Sequence, residues 1–152
     1  KYTAAELGNL DPDRISLKRY DPISNKCVAL QTTIDTTNKL IIARLNHFSA
    51  FQLGQVFASE TPDTARVYPN PFRSGTDGFV TFENMPAHAR VRIFTLRGDL
   101  VNDRGANASG LMIWTGVNQS GRSVSSGLYM AVIETFGNPT VQRKVIKLVV
   151  LR

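Results

Sequence analysis

The chain has a single cysteine, Cys27, and only two histidines, His47 and His88. One thiol excludes an internal disulfide framework, and soft ligands so few and so far apart do not make a zinc site. Long apolar runs are missing too. The most hydrophobic stretch, 145–151, is interrupted by Lys147 and preceded by Lys144, far short of the roughly 20 residues that cross a bilayer as a helix. No membrane-spanning segment is expected. The opening Lys1-Tyr2-Thr3-Ala4-Ala5-Glu6 has no apolar h-region, so the chain reads either as cytosolic or as the tail of a longer precursor. Disorder and fibrous repeats fit poorly, because 42% hydrophobic and 20% charged residues, with 11 Gly and 7 Pro among 152, are globular values. That length allows one ordinary domain or two small ones.

Charge is unevenly placed. The formal net charge is +6, and residues 66–152 hold eleven Lys/Arg against five Asp/Glu. A basic half raises nucleic acid or an anionic surface as a partner. The aromatics point away from nucleic acid: Phe79, Phe82, Phe94, Trp114 and Tyr129 lie inside alternating apolar patterns, which predicts core positions rather than stacking platforms. No nucleic-acid partner is expected.

Residues 58–65, Ala-Ser-Glu-Thr-Pro-Asp-Thr-Ala, are small and polar with no apolar period and read as a linker. Before them, β-rich runs at 14–20, 26–30, 39–45 and 48–57 are separated by Asp21-Pro22-Ile23-Ser24-Asn25 and Asp35-Thr36-Thr37-Asn38, both turn chemistry. Thr3-Ala4-Ala5-Glu6 fits a capping box, which predicts one helical turn. Four strands over 57 residues cannot cover both faces of a sheet, so 1–57 is expected to be the end of a larger, truncated β-sandwich domain. After the linker, runs at 78–83, 90–96, 99–102, 111–115, 128–135 and 141–151 have the size and rhythm of an Ig-like antiparallel β-sandwich. The fold class expected is all-β throughout.

Residues 67–152 resemble the type A C-terminal sorting domain of the bacterial type IX secretion system and the closely similar Ig-like module named after the flagellar hook-capping protein. The resemblance rests on Val67-Tyr68-Pro69-Asn70-Pro71-Phe72, Phe79-Val80-Thr81-Phe82, Val91-Arg92-Ile93-Phe94-Thr95-Leu96-Arg97-Gly98, Trp114-Thr115-Gly116-Val117-Asn118, Gly121, Ser126-Gly127-Leu128-Tyr129 and the closing run 144–151. It implies a secreted or cell-surface protein whose residues 66–152 form a sorting or anchoring domain. Such a domain is an address read by outer-membrane secretion and attachment machinery, with no cofactor and no catalysis. It also implies upstream domains in the same polypeptide. The motif residues it marks are Pro69, Asn70, Pro71, Gly98, Gly127, Tyr129, Lys144 and Lys147, and recognition maps to 144–152. The ending Val149-Val150-Leu151-Arg152 departs from the lysine-rich end of many sorting domains and also suits a permanent structural module packed against neighbouring surface subunits. Physically, Pro69 and Pro71 fix φ and remove donors where the chain enters the sheet, Asn70 can bond neighbouring backbone, and Gly98, Gly121 and Gly127 suit positions of positive φ or close approach. Trp114 is the expected central core side chain.

The first half resembles the end of β-sandwich domains of large bacterial surface proteins, related to those of ankyrins and netrin receptors, through residues 13–21, 27–30, 33–35 and 45–53. Within the last run, His47-Phe48-Ser49 is similar to a tripeptide at which some sandwich domains cut themselves. Ser49 would then attack the preceding carbonyl while His47 moves the proton. The alternative is two ordinary residues flanking a buried Phe48. Arg97-Gly98-Asp99 spells an adhesion tripeptide at a predicted hairpin tip, Asn107-Ala108-Ser109 and Asn118-Gln119-Ser120 match glycosylation acceptors, and Asp11 with Asp13 lacks calcium-loop spacing. No nucleophile elbow, phosphate loop or metal-ligand cluster occurs, and no conventional enzyme is expected.

Overall fold

In the computed structural model, residues 1–8, 10–11, 14–21, 25–30, 32–43, 45, 50–136 and 141–152 are described. They divide into two compact units, Lys1–Phe57 and Ala58–Arg152.

The first unit opens on the capping box. Thr3 N–H donates to Glu6 Oε2 at 2.7 Å and Glu6 N–H donates to Thr3 Oγ1 at 3.3 Å, which supplies partners for the start of the single turn α1 (Ala4–Leu7). The central strand β1 (Ile15–Asp21) lies between β2 (Lys26–Ala29) and β5 (Phe51–Gln55), antiparallel to both. A separate hairpin pairs β3 (Thr32–Asp35) with β4 (Leu40–Ala43). Its turn is held by the Asp35 carboxylate, which accepts from the Asn38 backbone N–H at 2.9 Å and from Asn38 Nδ2 at 2.7 Å. β3 lacks the alternation that marks a strand in sequence, having one apolar residue among four. Among the described residues of this unit the buried apolar set is Leu7, Ile15, Val28, Ala29, Leu30 and Val56.

The second unit is a sandwich of two sheets. One has the order β10-β9-β12-β13-β7, from β7 (Phe72–Arg73), β9 (Arg90–Thr95), β10 (Leu100–Gly105), β12 (Gly127–Thr135) and β13 (Gln142–Leu151). The other has the order β11-β8-β6, from β6 (Arg66–Tyr68), β8 (Val80–Glu83) and β11 (Met112–Trp114). All pairings are antiparallel except that of β13 with β7. The inward residues Val91 and Ile93 of β9, Ala131 and Ile133 of β12, and Leu148 and Val150 of β13 meet Val80 and Phe82 of β8 and Met112 and Trp114 of β11 in one core. The all-β sandwich expected from the strand rhythm is therefore what forms.

Trp114 is the largest fully buried side chain. Its Nε1–H donates to the Val117 carbonyl at 2.7 Å, and its ring lies 6.2 Å from both Phe72 and Tyr129, edge-on to the latter. Close approach of backbone demands glycine at two points in this unit. A Cβ on Gly110, at φ +72, would lie 1.9 Å from the Met85 carbonyl oxygen; one on Gly116, at φ +73, would lie 2.7 Å from the Phe72 ring. Two aromatics depart from expectation. Phe79 and Phe94 are only half-buried. Phe94 follows Ile93 on β9 and so faces out, with the Arg92 guanidinium 5.6 Å from its ring.

Residues 58–65 group with the second unit. Pro62–Thr64 forms a 3-10 turn with Pro62 buried, Ser59 N–H donates to the Met85 carbonyl at 3.0 Å, and Thr64 Oγ1 donates to the Asn84 carbonyl at 3.2 Å.

Candidate docking site at the terminal strand

Strand β13 gathers most of the motif residues. Along one edge it pairs with β12 over its length, from Gln142↔Thr135 to Val150↔Gly127. Among the described residues, the opposite edge is hydrogen-bonded only toward its end. There β7 pairs in parallel at Val150↔Phe72 and Leu151↔Arg73, and Ser74 N–H donates to the Leu151 carbonyl at 3.0 Å.

The next two groups on that edge are held by one side chain. Asn70 Nδ2 donates to the Lys147 carbonyl at 2.8 Å, and Val149 N–H donates to Asn70 Oδ1 at 3.0 Å. The amide thus takes the place of a strand residue. It reaches a segment far along the chain rather than the neighbouring backbone expected from Asx chemistry, because residues 69–71 carry the chain from β6 in one sheet to β7 in the other and so pass beside β13. Pro69 and Pro71 flank the crossing, and their preceding peptide bonds are both cis. Lys144, on the inner face of β13, ties the strand to the turn before β6: Nζ donates to the Ala65 carbonyl at 3.0 Å and to the Asp63 carbonyl. Lys147 enters only through its backbone; its side chain is exposed on the outer face.

The remaining motif residues lie elsewhere. Tyr129 is a core anchor on β12, with its hydroxyl donating to the Ser125 carbonyl at 2.8 Å and burial raising its pKa. Gly127 opens β12 opposite Val150. The expectation of positive φ or close approach fails there: its φ is outside the left-handed region, and an added Cβ would meet Tyr129 at an ordinary 3.8 Å. Gly98, at φ +92, lies in the β9–β10 turn, next to the opposite edge strand of the sheet. In that turn Asp99 accepts from Thr95 Oγ1 at 2.9 Å and donates its N–H back at 3.1 Å, so Arg97-Gly98-Asp99 serves to close the hairpin.

Sequence reasoning missed one feature of the outer face. Glu134 is 3% exposed on β12, between Arg92 (2.5 Å) and Arg143 (2.5 Å), and Arg90 pairs with Asp103 at the same end of the sheet. Burial alone raises the Glu134 carboxyl, but hydrogen bonds from Arg143 and Arg92 outweigh it and hold the group below its ordinary range. The register, which puts Glu134 beside both Arg90 and Arg143, is not readable from alternating charges alone.

His47 and Ser49 lie outside the described residues, as does Asp13. Asp11 pairs with Arg14 at 3.1 Å. Asn107 and Asn118 each accept two loop N–H groups through Oδ1. Among the described residues no three His, Cys, Asp or Glu side chains are grouped to hold a metal ion, and no helix is long and apolar enough to cross a membrane.

No family model and no curated protein matches the chain. Among solved structures it is similar to PorZ, a bacterial surface component of the type IX secretion system of Porphyromonas gingivalis, with 21% identity and a TM-score of 0.52 over 80% of this chain. Another similar structure is dimeric latent PorU from the same organism, with 18% identity and a TM-score of 0.46 over 95% of this chain. The chain spans 16% of the length of each. The likeness to PorZ shows a shared β-sandwich fold.

Proposed function

We propose that residues 66–152 are a non-catalytic, Ig-like sorting and attachment module of a secreted or cell-surface bacterial protein, read by type IX outer-membrane machinery. Residues 58–65 join it to residues 1–57, the C-terminal part of a preceding sandwich domain. The observation that carries the reading is the Asn70 bond pair. It joins the 69–71 corner and the terminal strand, two separate parts of the resemblance, into one substructure at the sandwich edge. An address needs a self-contained fold that presents one element, and here Val145 and Lys147 on the terminal strand face solvent. The fold shared with a type IX surface component supports the same assignment.

A second reading, a permanent structural module in a surface layer or appendage, is favoured by the way the end of the chain is tied in. Leu151 pairs with β7, and Arg152 N–H donates to Ser126 Oγ at 3.0 Å. Intact-mass analysis of the native protein from the cell surface and the medium separates the two. A product ending between residues 58 and 68 supports the removable address. Retention through Arg152 in all fractions supports the permanent module.

A further inference from the structure

Side-chain alternation and hydrogen-bond alternation on β13 together describe an unfinished edge. In an antiparallel strand the N–H and C=O of one residue point to the same side, and successive residues alternate. The carbonyls of Lys147 and Leu151 and the N–H of Val149 point away from β12, to Asn70 and Ser74. The same phase directs both groups of Arg143, both groups of Val145 and the Lys147 N–H to that edge. No hydrogen bond from the described residues reaches these five groups. The reason is the sheet change at 69–71: the chain pairs with the end of β13 as β7, but before the corner it belongs to the other sheet as β6. Asn70 marks where the covered part stops.

We infer that the 143–147 edge of β13 accepts an extended peptide from another protein as an added strand, and that this peptide carries acidic, apolar and acidic residues at alternate positions. The side chains bordering the open groups on the solvent face are Arg143, Val145 and Lys147, all exposed. Arg143 shares Glu134 with Arg92, while the Lys147 ammonium has no partner among the described residues. Directly opposite residues on paired strands interact, like charges unfavourably. An incoming strand therefore gains from Asp or Glu opposite Arg143 and Lys147 and from an apolar residue opposite Val145. The same rule disfavours a second copy of this chain. Two β13 edges pairing about a two-fold axis at Val145 would set Arg143 of each against Lys147 of the other. Main-chain bonds supply the affinity and the alternate side chains the selectivity of such strand addition. The inference stands independently of whether the module is a sorting address.

The test uses the full chain and a capped heptapeptide, Thr-Glu-Thr-Val-Thr-Glu-Thr. It reads the same in both directions and so fits either strand polarity. Amide resonances are followed as the peptide is raised to roughly millimolar concentration, the range expected for a short strand. The expected result is shifts and slowed exchange centred on the Arg143, Val145 and Lys147 N–H groups. K147E, which leaves the Arg143–Glu134 pair in place, should weaken binding at least tenfold. The Glu and Val N–H groups of the peptide face β13 in antiparallel addition and the Thr N–H groups in parallel addition, so a peptide N-methylated at every residue should lose binding in either polarity. Val145→Pro removes an N–H that bonds to none of the described residues, as edge positions permit, and should abolish binding while the protein still unfolds cooperatively. Absence of binding, shifts away from these residues, or undiminished binding of the fully N-methylated peptide overturns the inference. Concentration-dependent protection of the same amides without peptide overturns it in favour of self-pairing.

Discussion

Replacing Asn70 by alanine removes both hydrogen bonds that tie the crossing to β13 and leaves the apolar core untouched. A typical intramolecular hydrogen bond contributes about 0.5–1.5 kcal/mol net. Asn70 is exposed, so water takes over part of what is lost, and the two bonds together should amount to about 1–2 kcal/mol. For a unit of about one hundred residues that lowers Tm by roughly 5–10 °C. Trp114 is the only tryptophan and is fully buried in the second unit, so its fluorescence follows the unfolding of this unit. Hydrogen exchange adds a local readout. Val149 N–H should exchange roughly tenfold faster or more in Asn70→Ala, while Leu148 N–H, which faces β12, should change only as global stability changes. Asn70→Asp keeps the acceptor for Val149 and loses the donor to Lys147, so Val149 should stay protected while Tm falls by an intermediate amount. If Asn70→Ala changes neither Tm nor Val149 exchange, the side-chain amide does not complete the edge and the reasoning fails.

Gly110→Ala forces a Cβ into the Met85 carbonyl at a left-handed φ; thermal unfolding should show a loss of about 3 kcal/mol or more. Trp114→Phe gives up the bond to Val117 and part of the core volume, and should cost about 2–3 kcal/mol by denaturant titration without changing the far-ultraviolet spectrum. Glu134 titrates lower in the folded state than its ordinary 4.5. Its ionised form therefore stabilises the fold above about pH 4.5, and that contribution is lost as pH falls through the folded value. In stability measured from pH 7 to pH 3, Glu134→Gln should be less stable at neutral pH, and the gap to wild type should narrow on acidification; a constant gap would refute the Arg92–Glu134–Arg143 account. Lys144→Met keeps an aliphatic stem of similar length and removes the donor to Asp63 and Ala65, and should cost about 1 kcal/mol in the same assay.

Much of the second unit was readable because its signals are local. Period-2 apolar runs at 90–96 and 128–135 gave β9 and β12, and their turn residues placed the boundaries within one or two positions. Trp114 followed from its place in Leu111-Met112-Ile113-Trp114. The first unit was less readable: β3 has too few apolar residues to alternate. Phe94 misled because Val91 and Ile93 already hold the inward phase, and a run of apolar residues does not say which phase wins. Long-range features were out of reach for a different reason. The Asn70 bonds span residues 70 to 149, and the ion group at Glu134 depends on the register of three strands. Sequence spacing carries neither. The need for glycine at 110 and 116 comes from Met85 and Phe72 crossing close by, not from local turn chemistry, so sequence does not single these positions out.

The proposed role of the second unit as an export address is tested most directly by moving it. A periplasm-targeted reporter enzyme fused ahead of residues 1–152 should reach the surface or medium of a type IX-competent host and stay in the periplasm of an isogenic host lacking that system. Equal export from both hosts, or periplasmic retention of the unmodified fusion in the competent host, would contradict the claim.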